Sequence, residues 1–139
     1  MKRLHYLRYL FAALLLVTIA SCSKDDDDDA TPDKDLLLTD QTWTGDKLLI
    51  GGQDVTILYK DRITKTTLKF NTDGTYTFDS DGTTKTGSWE FANDQKQVIM
   101  DKNAANELTA DIKRLTATEL WVEGEFFDLG QDVEVRFIH

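Results

Sequence analysis

The feature that most constrains the fold is a series of short segments, between about Thr66 and Phe137, in which apolar and polar residues alternate. Tight-turn sequences such as Asn71-Thr72-Asp73-Gly74 and Asp81-Gly82 separate these segments. An alternation with a period of two places every second side chain on the same face of a β-strand. Glycine suits the positive φ angles that such turns require. The pattern therefore predicts short antiparallel strands joined in chain order.

The alternation predicts eight or nine strands in all. An apolar plug, Leu36-Leu37-Leu38, precedes the first strand. Gly51-Gly52 then turns the chain toward a second, weaker strand that contains Val55, Ile57 and Tyr59. The predicted strands are at about 41–50, 55–59, 66–70, 75–78, 87–91, 97–100, 120–127 and 133–137, with one further segment at 104–115.

The segment from Ala104 to Leu115 fits two kinds of secondary structure. Leu108 and Ile112 recur at helical spacing, but with Ala110 between them they also recur at strand spacing. We favour a strand because Thr116-Ala117-Thr118-Glu119 indicates a turn that leads directly into the next strand.

The two edges of such a meander need protection from pairing with other chains. Closing the sheet into a barrel removes both edges. An immunoglobulin-type sandwich needs longer crossover connections, whereas this sequence shows mainly tight turns. We therefore expect an all-β fold, an antiparallel up-and-down meander closed into a small barrel of eight or nine strands.

Four motifs in this region follow the order found in a known class of domain. They are LTDQTW (38–43), LKFNTDGTYTF (68–78), GSWEF (87–91) and IKRLTATEL (112–120). Together they resemble the lipocalin-like domains of Bacteroidetes lipoproteins, over roughly residues 36–139. The resemblance implies a lipocalin-like β-barrel. It also implies that Trp43 stands where lipocalins keep the tryptophan of a first-strand Gly-x-Trp motif, with Gln41 in the glycine position.

The N-terminal residues have the composition of a secretory signal peptide. Residues 1–8 include three Lys or Arg side chains, and residues 9–20 are almost entirely apolar. A helix of that length rises only about 18 Å, well short of a hydrocarbon core of roughly 30 Å. We therefore predict a cleaved signal peptide at 1–21 rather than a membrane-spanning helix.

Ile19-Ala20-Ser21-Cys22 follows the apolar run and resembles the bacterial lipobox. The resemblance implies that the Cys22 thiol receives a diacylglycerol and that the chain is cut before this residue. Each buried methylene contributes about 0.8 kcal/mol, and stable anchoring takes two acyl chains or more. Cys22 is the only cysteine in the sequence, so it has no partner for an internal disulfide. The alternative is ordinary signal cleavage that leaves a free thiol.

Five consecutive aspartates, Asp25 to Asp29, come shortly after Cys22. A run of like charges is typical of a solvated, self-repelling linker, so we assign 22–35 as lipidated cysteine and tether, and 36–139 as the barrel domain. Acidic residues at this position also resemble the signal that sends Bacteroidetes lipoproteins to the outer face of the outer membrane. The sequence thus predicts a surface-exposed outer-membrane lipoprotein, held to the membrane through acylated Cys22.

Charge and residue usage argue against several classes of function. Removal of the signal peptide leaves 13 basic and 25 acidic residues, a formal charge of −12, and the sequence shows no clustered basic patch for nucleic acid. His139 is the only histidine after residue 21, and lipid consumes the thiol of Cys22. Neither a cysteine nucleophile nor a histidine cluster for zinc remains. We therefore predict no enzyme activity, no metal site and no cofactor.

The interior of an eight-stranded barrel is either filled by side chains or holds one small ligand. Trp43, Tyr76, Phe78 and Trp89 have the inward parity, and we take them as the candidate ligand-binding residues. For any single one of these residues we favour a role in the barrel core; the binding hypothesis is that several of them line an apolar cavity. The other predicted inward side chains are Phe70, Phe91, Val122, Val133, Val135 and Phe137.

Two glycines and two aromatic residues have positions that need an explanation. Gly87 and Gly124 have the inward parity, where a missing side chain leaves room or marks a bend at a barrel corner. Trp121 and Phe127 have the outward parity. We expect them to lie under the N-terminal plug or to form an exposed apolar patch that suits a partner protein.

These observations predict a lipid-anchored lipoprotein of the cell envelope, whose lipocalin-like barrel binds a small hydrophobic or amphipathic molecule. The alternative is a surface interaction or accessory protein, in which the barrel is filled and the outer face meets a partner protein. An internal cavity of about 300 Å³ or more, the lower end for ligand sites, would favour the first function.

Overall fold

The structure, a computed structural model, describes residues 32–139. The predicted signal peptide at 1–21, the lipid attachment at Cys22 and the aspartate run lie outside the described residues. The strands are β1 (Thr42–Ile50), β2 (Gln53–Asp54), β3 (Thr67–Phe70), β4 (Thr75–Ser80), β5 (Thr83–Ala92), β6 (Gln97–Met100), β7 (Leu108–Leu115), β8 (Glu119–Gly124) and β9 (Val133–Ile138). The helices are α1 (Lys34–Thr39) and α2 (Thr56–Ile63). Neither of these helices is long and apolar enough to cross a membrane.

Eight of the strands close into an antiparallel barrel. Each strand from β3 to β8 pairs with the strand that follows it, and β1 pairs with both β3 and β9. The extra strand, β2, pairs with the end of β1, where Leu49 lies opposite Asp54. The predicted fold, a closed antiparallel barrel of eight or nine strands, is therefore confirmed.

Alternate residues of the barrel strands fill its interior. On β9, Val133, Val135 and Phe137 are at most 1% exposed, whereas Glu134 and Arg136 between them are only half-buried. The alternation thus separates a dry core face from a wetted outer face. The largest fully buried side chains are Trp43, Phe70, Phe137, Leu38, Leu48, Ile63, Leu68 and Leu120.

Helix α1 closes one end of the barrel, which we call the plugged end. It contacts β3 and β7, and its Leu38 side chain is fully buried in the core. The last carbonyl groups of a helix lack partners within the helix. Here the Trp43 indole donates to the Leu38 carbonyl at 3.0 Å, and the Lys69 ammonium donates to the Thr39 carbonyl. The predicted plug, Leu36 to Leu38, lies within this helix.

The predicted second strand at 55–59 is wrong, because residues 56–59 lie in α2 and Val55 is the N-cap of that helix. Val55, Tyr59 and Ile63 recur every four residues, and all three pack against the core, with the helix kinked at Tyr59, whose φ is −123°. Ile57, which the strand prediction grouped with Val55 and Tyr59, is 78% exposed. The four-residue spacing, and not the alternation, describes which side chains are buried here.

The segment from Ala104 to Leu115 contains a strand, as we favoured, but the strand begins only at Leu108. The strand predicted to reach Phe127 ends earlier, at Gly124. Phe127 has a φ angle of 65°, a left-handed conformation that a regular strand does not contain.

Candidate ligand cavity at the open end of the barrel

A cavity of about 360 Å³ lies at the end of the barrel opposite the plugged end. Two connections surround it: the loop Asp101–Glu107 joins β6 to β7, and residues 125–132 join β8 to β9. Side chains from α2, from β3 to β7 and from both connections line the space. We call this space the mouth cavity.

The floor of the mouth cavity is apolar. Tyr76 and Phe78 alternate with threonines on β4, and Phe78 lies opposite Leu68 of β3. Side chains at such opposed positions of an antiparallel pair lie on the same face and close together. Strand alternation therefore brings part of the predicted inward set to this surface. The apolar and aromatic lining residues are Leu68, Tyr76, Phe78, Met100, Leu108, Phe126 and Phe127.

Phe127 lines the mouth cavity, so the expectation that it faces outward is wrong. The left-handed backbone at Phe127 breaks the alternation on which that expectation rested. Its ring centroid lies 6.3 Å from that of Phe78 and 6.3 Å from that of Phe126. The Arg62 guanidinium covers the Phe127 ring at 4.7 Å from its centroid, a cation–π distance. The turn after β8 thus adds an aromatic wall to the cavity.

The carboxylate of Asp101 connects the loop to two strands. Its Oδ2 accepts hydrogen bonds from the Tyr76 hydroxyl (2.7 Å) and from the Asn106 side-chain amide (2.6 Å). Its Oδ1 accepts a 3.1 Å hydrogen bond from the Ser88 backbone amide. Burial first, and then the hydrogen bond and negative charge of Asp101, raise the pKa of Tyr76 far above its usual range. Tyr76 therefore presents a neutral, fixed ring to the cavity.

Neither inward-facing glycine leaves empty space for a ligand. A Cβ at Gly87 would lie 1.9 Å from the Asp101 carboxylate oxygen and 2.7 Å from the Tyr76 ring. A Cβ at Gly124 would lie 2.9 Å from the Thr109 carbonyl oxygen. Gly87 accommodates a neighbouring side chain and Gly124 a neighbouring strand, so both glycines serve close packing rather than the cavity.

Charged side chains surround the apolar floor. The lining includes the cations Arg62 and Lys85 and the carboxylates Glu107, Glu125 and Asp128. None of the five takes part in an ion pair within residues 32–139. Small-molecule sites are lined mainly by apolar side chains with a few polar groups, and the charged margin makes the lining of this cavity more polar than that. Such a surface suits a molecule with an apolar body and a polar end.

The structure brings only two of the four candidate residues, Tyr76 and Phe78, to the mouth cavity. Trp43 is fully buried beneath α1. Trp89 is half-buried, donates a 3.0 Å hydrogen bond to the Asn71 carbonyl and packs edge-on against Phe70 at 5.1 Å. Its other neighbour is an open depression of about 500 Å³ beside α1, which Phe91, Thr72 and Glu90 also line and whose exposed lining is more apolar than polar. Trp43 and Trp89 lie away from the mouth cavity.

Trp121 does not form a bare apolar patch on the outer face. It lies opposite Arg114 of β7 and Arg136 of β9 in the strand register. The two guanidinium carbons lie 5.1 Å and 3.8 Å from its ring centroid. Glu119 pairs with Arg114 at 2.7 Å, and Glu134 pairs with Arg136 at 2.6 Å. The tryptophan is the centre of a charged cross-strand row, which alternation alone does not reveal.

Sequence reasoning did not single out several residues of the mouth cavity, among them Arg62, Lys85 and Asp101. One signal was present. The connection Asp101–Glu107 is longer than the tight turns elsewhere in the meander, and long loops on a rigid barrel often carry binding residues. Only the three-dimensional structure shows that Asp101 of this loop lies against Gly87.

No protein-family model matches this chain, and no curated protein matches it in sequence. Within residues 32–139, no group of three or more His, Cys, Asp or Glu side chains is placed to hold a metal ion.

Proposed function

We propose that this protein is a lipid-anchored lipoprotein of the cell envelope that binds a small hydrophobic or amphipathic molecule in the mouth cavity. The observation that carries the proposal is the cavity itself: about 360 Å³ of space with an apolar floor, open at one end of a barrel that α1 closes at the other.

The size of the mouth cavity limits the ligand. Ligand sites occupy about 300–1,000 Å³, so this cavity lies near the lower end of the range. Deeper in the barrel, Trp43, Phe70 and Phe137 are at most 1% exposed and fill the interior. A ligand therefore occupies the mouth alone, and its apolar body is compact rather than a long acyl chain.

The lining of the mouth cavity favours an amphipathic ligand. Burial of apolar surface contributes roughly 25 cal/mol per Å². The aromatic rings of Phe78, Phe126 and Phe127 supply such surface. The Tyr76 hydroxyl already donates to Asp101, so the inner wall offers little polar recognition. The charged residues at the margin, such as Lys85 and Glu125, are the groups that meet a polar end of the ligand.

The anchor rests on the sequence around Cys22 and on the path of the chain. Pro32 and α1 bring the chain into the barrel at the plugged end. A lipid on Cys22 would therefore hold the barrel to the membrane through the residues that precede α1 in the chain. The aspartate run, Asp25 to Asp29, supports a location on the outer membrane, with the barrel exposed at the surface.

A fluorescence titration with N-phenyl-1-naphthylamine tests the binding function. The substitution Ala105→Trp places an indole on the loop that lines the mouth, and its matched control is Ala104→Trp, on the next residue of the same loop and outside the lining. We expect A105W to weaken binding by at least about tenfold, because the indole occupies the site, and A104W to bind like the wild type. The proposal is overturned if the wild type does not bind or if both variants bind equally.

A second function, a surface interaction protein, is supported by one observation. Ile57 and Leu58 on α2 are 78% and 75% exposed, and two adjacent apolar side chains so far in water are typical of a contact surface. The double substitution Ile57→Ser with Leu58→Ser separates the two functions. It would abolish capture of a partner protein and leave probe binding in the mouth cavity unchanged.

A further inference from the structure

We propose that Asp101 is the positioning residue of the mouth cavity: its carboxylate holds the loop Asp101–Glu107 against β4 and β5 and so determines which ligand shapes the cavity admits. This inference rests on the proposed binding function and adds the residue that sets its selectivity.

The first argument is a gap in the barrel wall at the mouth. Residues Thr83–Ser88 of β5 pair with β4, whereas only Trp89–Ala92 pair with β6. The half of β5 nearest the mouth therefore has no strand on its second side. A sheet edge of this kind has backbone groups without strand partners.

Asp101 occupies the start of this gap. Its backbone amide donates to the Ser88 carbonyl at 2.8 Å, and its carboxylate accepts from the Ser88 amide at 3.1 Å. Asp101 therefore satisfies both the backbone amide and the backbone carbonyl of Ser88 at this edge of the sheet. Its side chain takes the place that a further residue of β6 would have. The loop begins at the point where the strand pairing ends.

The second argument is that one oxygen of Asp101 joins two walls of the cavity. Its Oδ2 accepts from Tyr76, on the β4 side, and from Asn106, in the loop. Tyr76 and Asn106 both line the mouth cavity. Hydrogen bonds to an ionised acceptor are stronger than those between neutral groups. The distance between the strand wall and the loop wall is therefore determined by this carboxylate.

The third argument is that other contacts hold this part of the loop only weakly. Ala105, Asn106 and Glu107 are exposed. The backbone bond from the Glu107 amide to the Ala104 carbonyl is internal to the loop. Lys102 also binds Glu90 of β5, but both side chains are about half exposed, and exposed ion pairs contribute little. Lys102→Ala is therefore a natural control for the loss of Asp101.

Few other residues could replace Asp101. Its backbone is left-handed, with a φ of 54°, a conformation that Asp and Asn tolerate better than other side chains. The carboxylate also lies over Gly87, where a Cβ would approach it to 1.9 Å. Asparagine fits this space, but its amide nitrogen cannot accept the hydrogen bonds that Oδ2 receives. Asp101→Asn therefore keeps the Ser88 contact but replaces the two charge-assisted bonds of Oδ2 with weaker neutral ones, in which the amide nitrogen donates to the Tyr76 hydroxyl oxygen or to a flipped Asn106 amide.

The experiment compares two neutral probes of different size, N-phenyl-1-naphthylamine and the larger Nile red, on the full chain carrying Cys22→Ser so that no attached lipid competes. We expect the unaltered cavity to prefer the smaller probe. In D101N the Kd for the smaller probe should rise by about tenfold, and the preference for the smaller probe over the larger one should decrease, because neutral hydrogen bonds hold the loop wall less firmly than the carboxylate does. K102A should bind the smaller probe as tightly as the parent chain does and prefer it over Nile red to the same extent.

Two further measurements separate a positioning role from a general loss of stability. In D101N the hydrogen exchange of the loop Asp101–Glu107 should accelerate, while that of Gln97–Met100 in β6 stays as in the parent chain. The pKa of the Tyr76 phenol should be lower than in the parent, which reports that the charged acceptor is gone. If D101N does not fold, Tyr76→Phe and Asn106→Ala each remove one contact of Oδ2. Each should reduce the preference for the smaller probe over Nile red, by less than the change expected for D101N.

The outcomes are distinguishable. If the parent chain binds neither probe, the proposed function is overturned and this inference with it. If the parent binds and D101N shows the altered Tyr76 titration but the same affinity and preference for both probes, the inference alone is overturned. If K102A narrows the preference as much as D101N does, any contact of the loop suffices, and Asp101 has no special role.

Discussion

The indole Nε1 of Trp43 donates a 3.0 Å hydrogen bond to the carbonyl oxygen of Leu38, and both side chains are fully buried. Trp43 lies at the start of β1 and Leu38 lies in the last turn of α1. The bond therefore joins the first strand of the barrel to the helix that closes it. It also satisfies a carbonyl group that the end of a helix would leave without a partner.

The substitution Trp43→Phe should destabilise the fold. It leaves the buried Leu38 carbonyl without a donor, at a cost of about 1–3 kcal/mol, and it adds the loss of packing from a smaller ring. Urea unfolding followed by tryptophan fluorescence and circular dichroism measures the change. Leu36→Ala on the same helix is the control, because Leu36 is 52% exposed and exposed substitutions usually stay within about 0.5 kcal/mol. Equal stability of W43F and L36A would contradict the role of this bond.

The substitution Gly45→Ala should also destabilise the fold. A Cβ at Gly45 would lie 2.3 Å from the Ile63 carbonyl oxygen, so α2 would have to move away from β1. Overpacking of this kind costs about 1–3 kcal/mol. Thermal and urea unfolding measure it, with Lys47→Ala, at an exposed position of the same strand, as the control. A neutral result for G45A would mean that α2 does not pack as described.

The pair Gly87 and Asp101 should show strong coupling. Gly87→Ala alone should lower the unfolding free energy by about 1–3 kcal/mol, because its Cβ meets the Asp101 carboxylate. In an Asp101→Gly background the same substitution should cost less, because the closest contact is removed and only the Tyr76 ring, 2.7 Å from the new Cβ, has to shift. A double-mutant cycle of urea unfolding gives the interaction energy directly. Additive effects of G87A and D101G would show that the two residues do not compete for one space.

Stability should fall at alkaline pH because of Tyr76. Its folded-state pKa is raised, by burial first and by the Asp101 carboxylate second, whereas an unfolded tyrosine titrates at about 10. Above that pH the unfolded chain loses a proton that the folded chain keeps, so the unfolding free energy should fall by up to about 1.4 kcal/mol per pH unit. Below pH 10 this contribution is fully present. Urea unfolding of the wild type and of Tyr76→Phe from pH 9 to 11.5 tests the slope, which should be shallower in Y76F.

The substitution Cys22→Ser should release the protein from the membrane. The predicted lipid on Cys22 supplies the anchoring free energy, about 0.8 kcal/mol for each buried methylene, and a serine hydroxyl is not the thiol that the lipobox resemblance requires. Membrane fractionation of the two forms, with mass spectrometry of the mature N-terminus, measures the result. An unmodified thiol on membrane-associated wild type would refute the lipid anchor.

Strand alternation was a good guide wherever one face of the chain is dry and the other is wet. The strands around Phe70, Trp89 and Val135 were predicted on this basis, and they lie in the closed barrel. The alternation misled at Val55 and Tyr59, because these residues also fit the four-residue spacing of a helix. Whether the segment forms a strand or a helix depends on the burial of Ile63 against Gly45. Local sequence patterns do not predict this contact.

The candidate site was predictable only in part. Tyr76 and Phe78 belong to a regular strand, so the alternation correctly predicted that their side chains face inward, where they line the cavity. Phe127 did not follow parity, because its left-handed backbone turns the ring toward Phe78. Asp101 gave no signal of its own, because a single aspartate in a polar loop is ordinary in sequence.

The sequence by itself determined the class of the fold, because period-two alternation, tight turns and the need to protect sheet edges allow few arrangements other than a closed meander. It also carries the signals from which the export and anchoring of the chain are predicted. Only the tertiary structure decided where the barrel is solid and where it is open. That outcome depends on contacts between residues far apart in the chain, such as Leu38 with Trp43 and Asp101 with Tyr76. Their energies arise from burial and hydrogen bonding that exist only once the strands have closed.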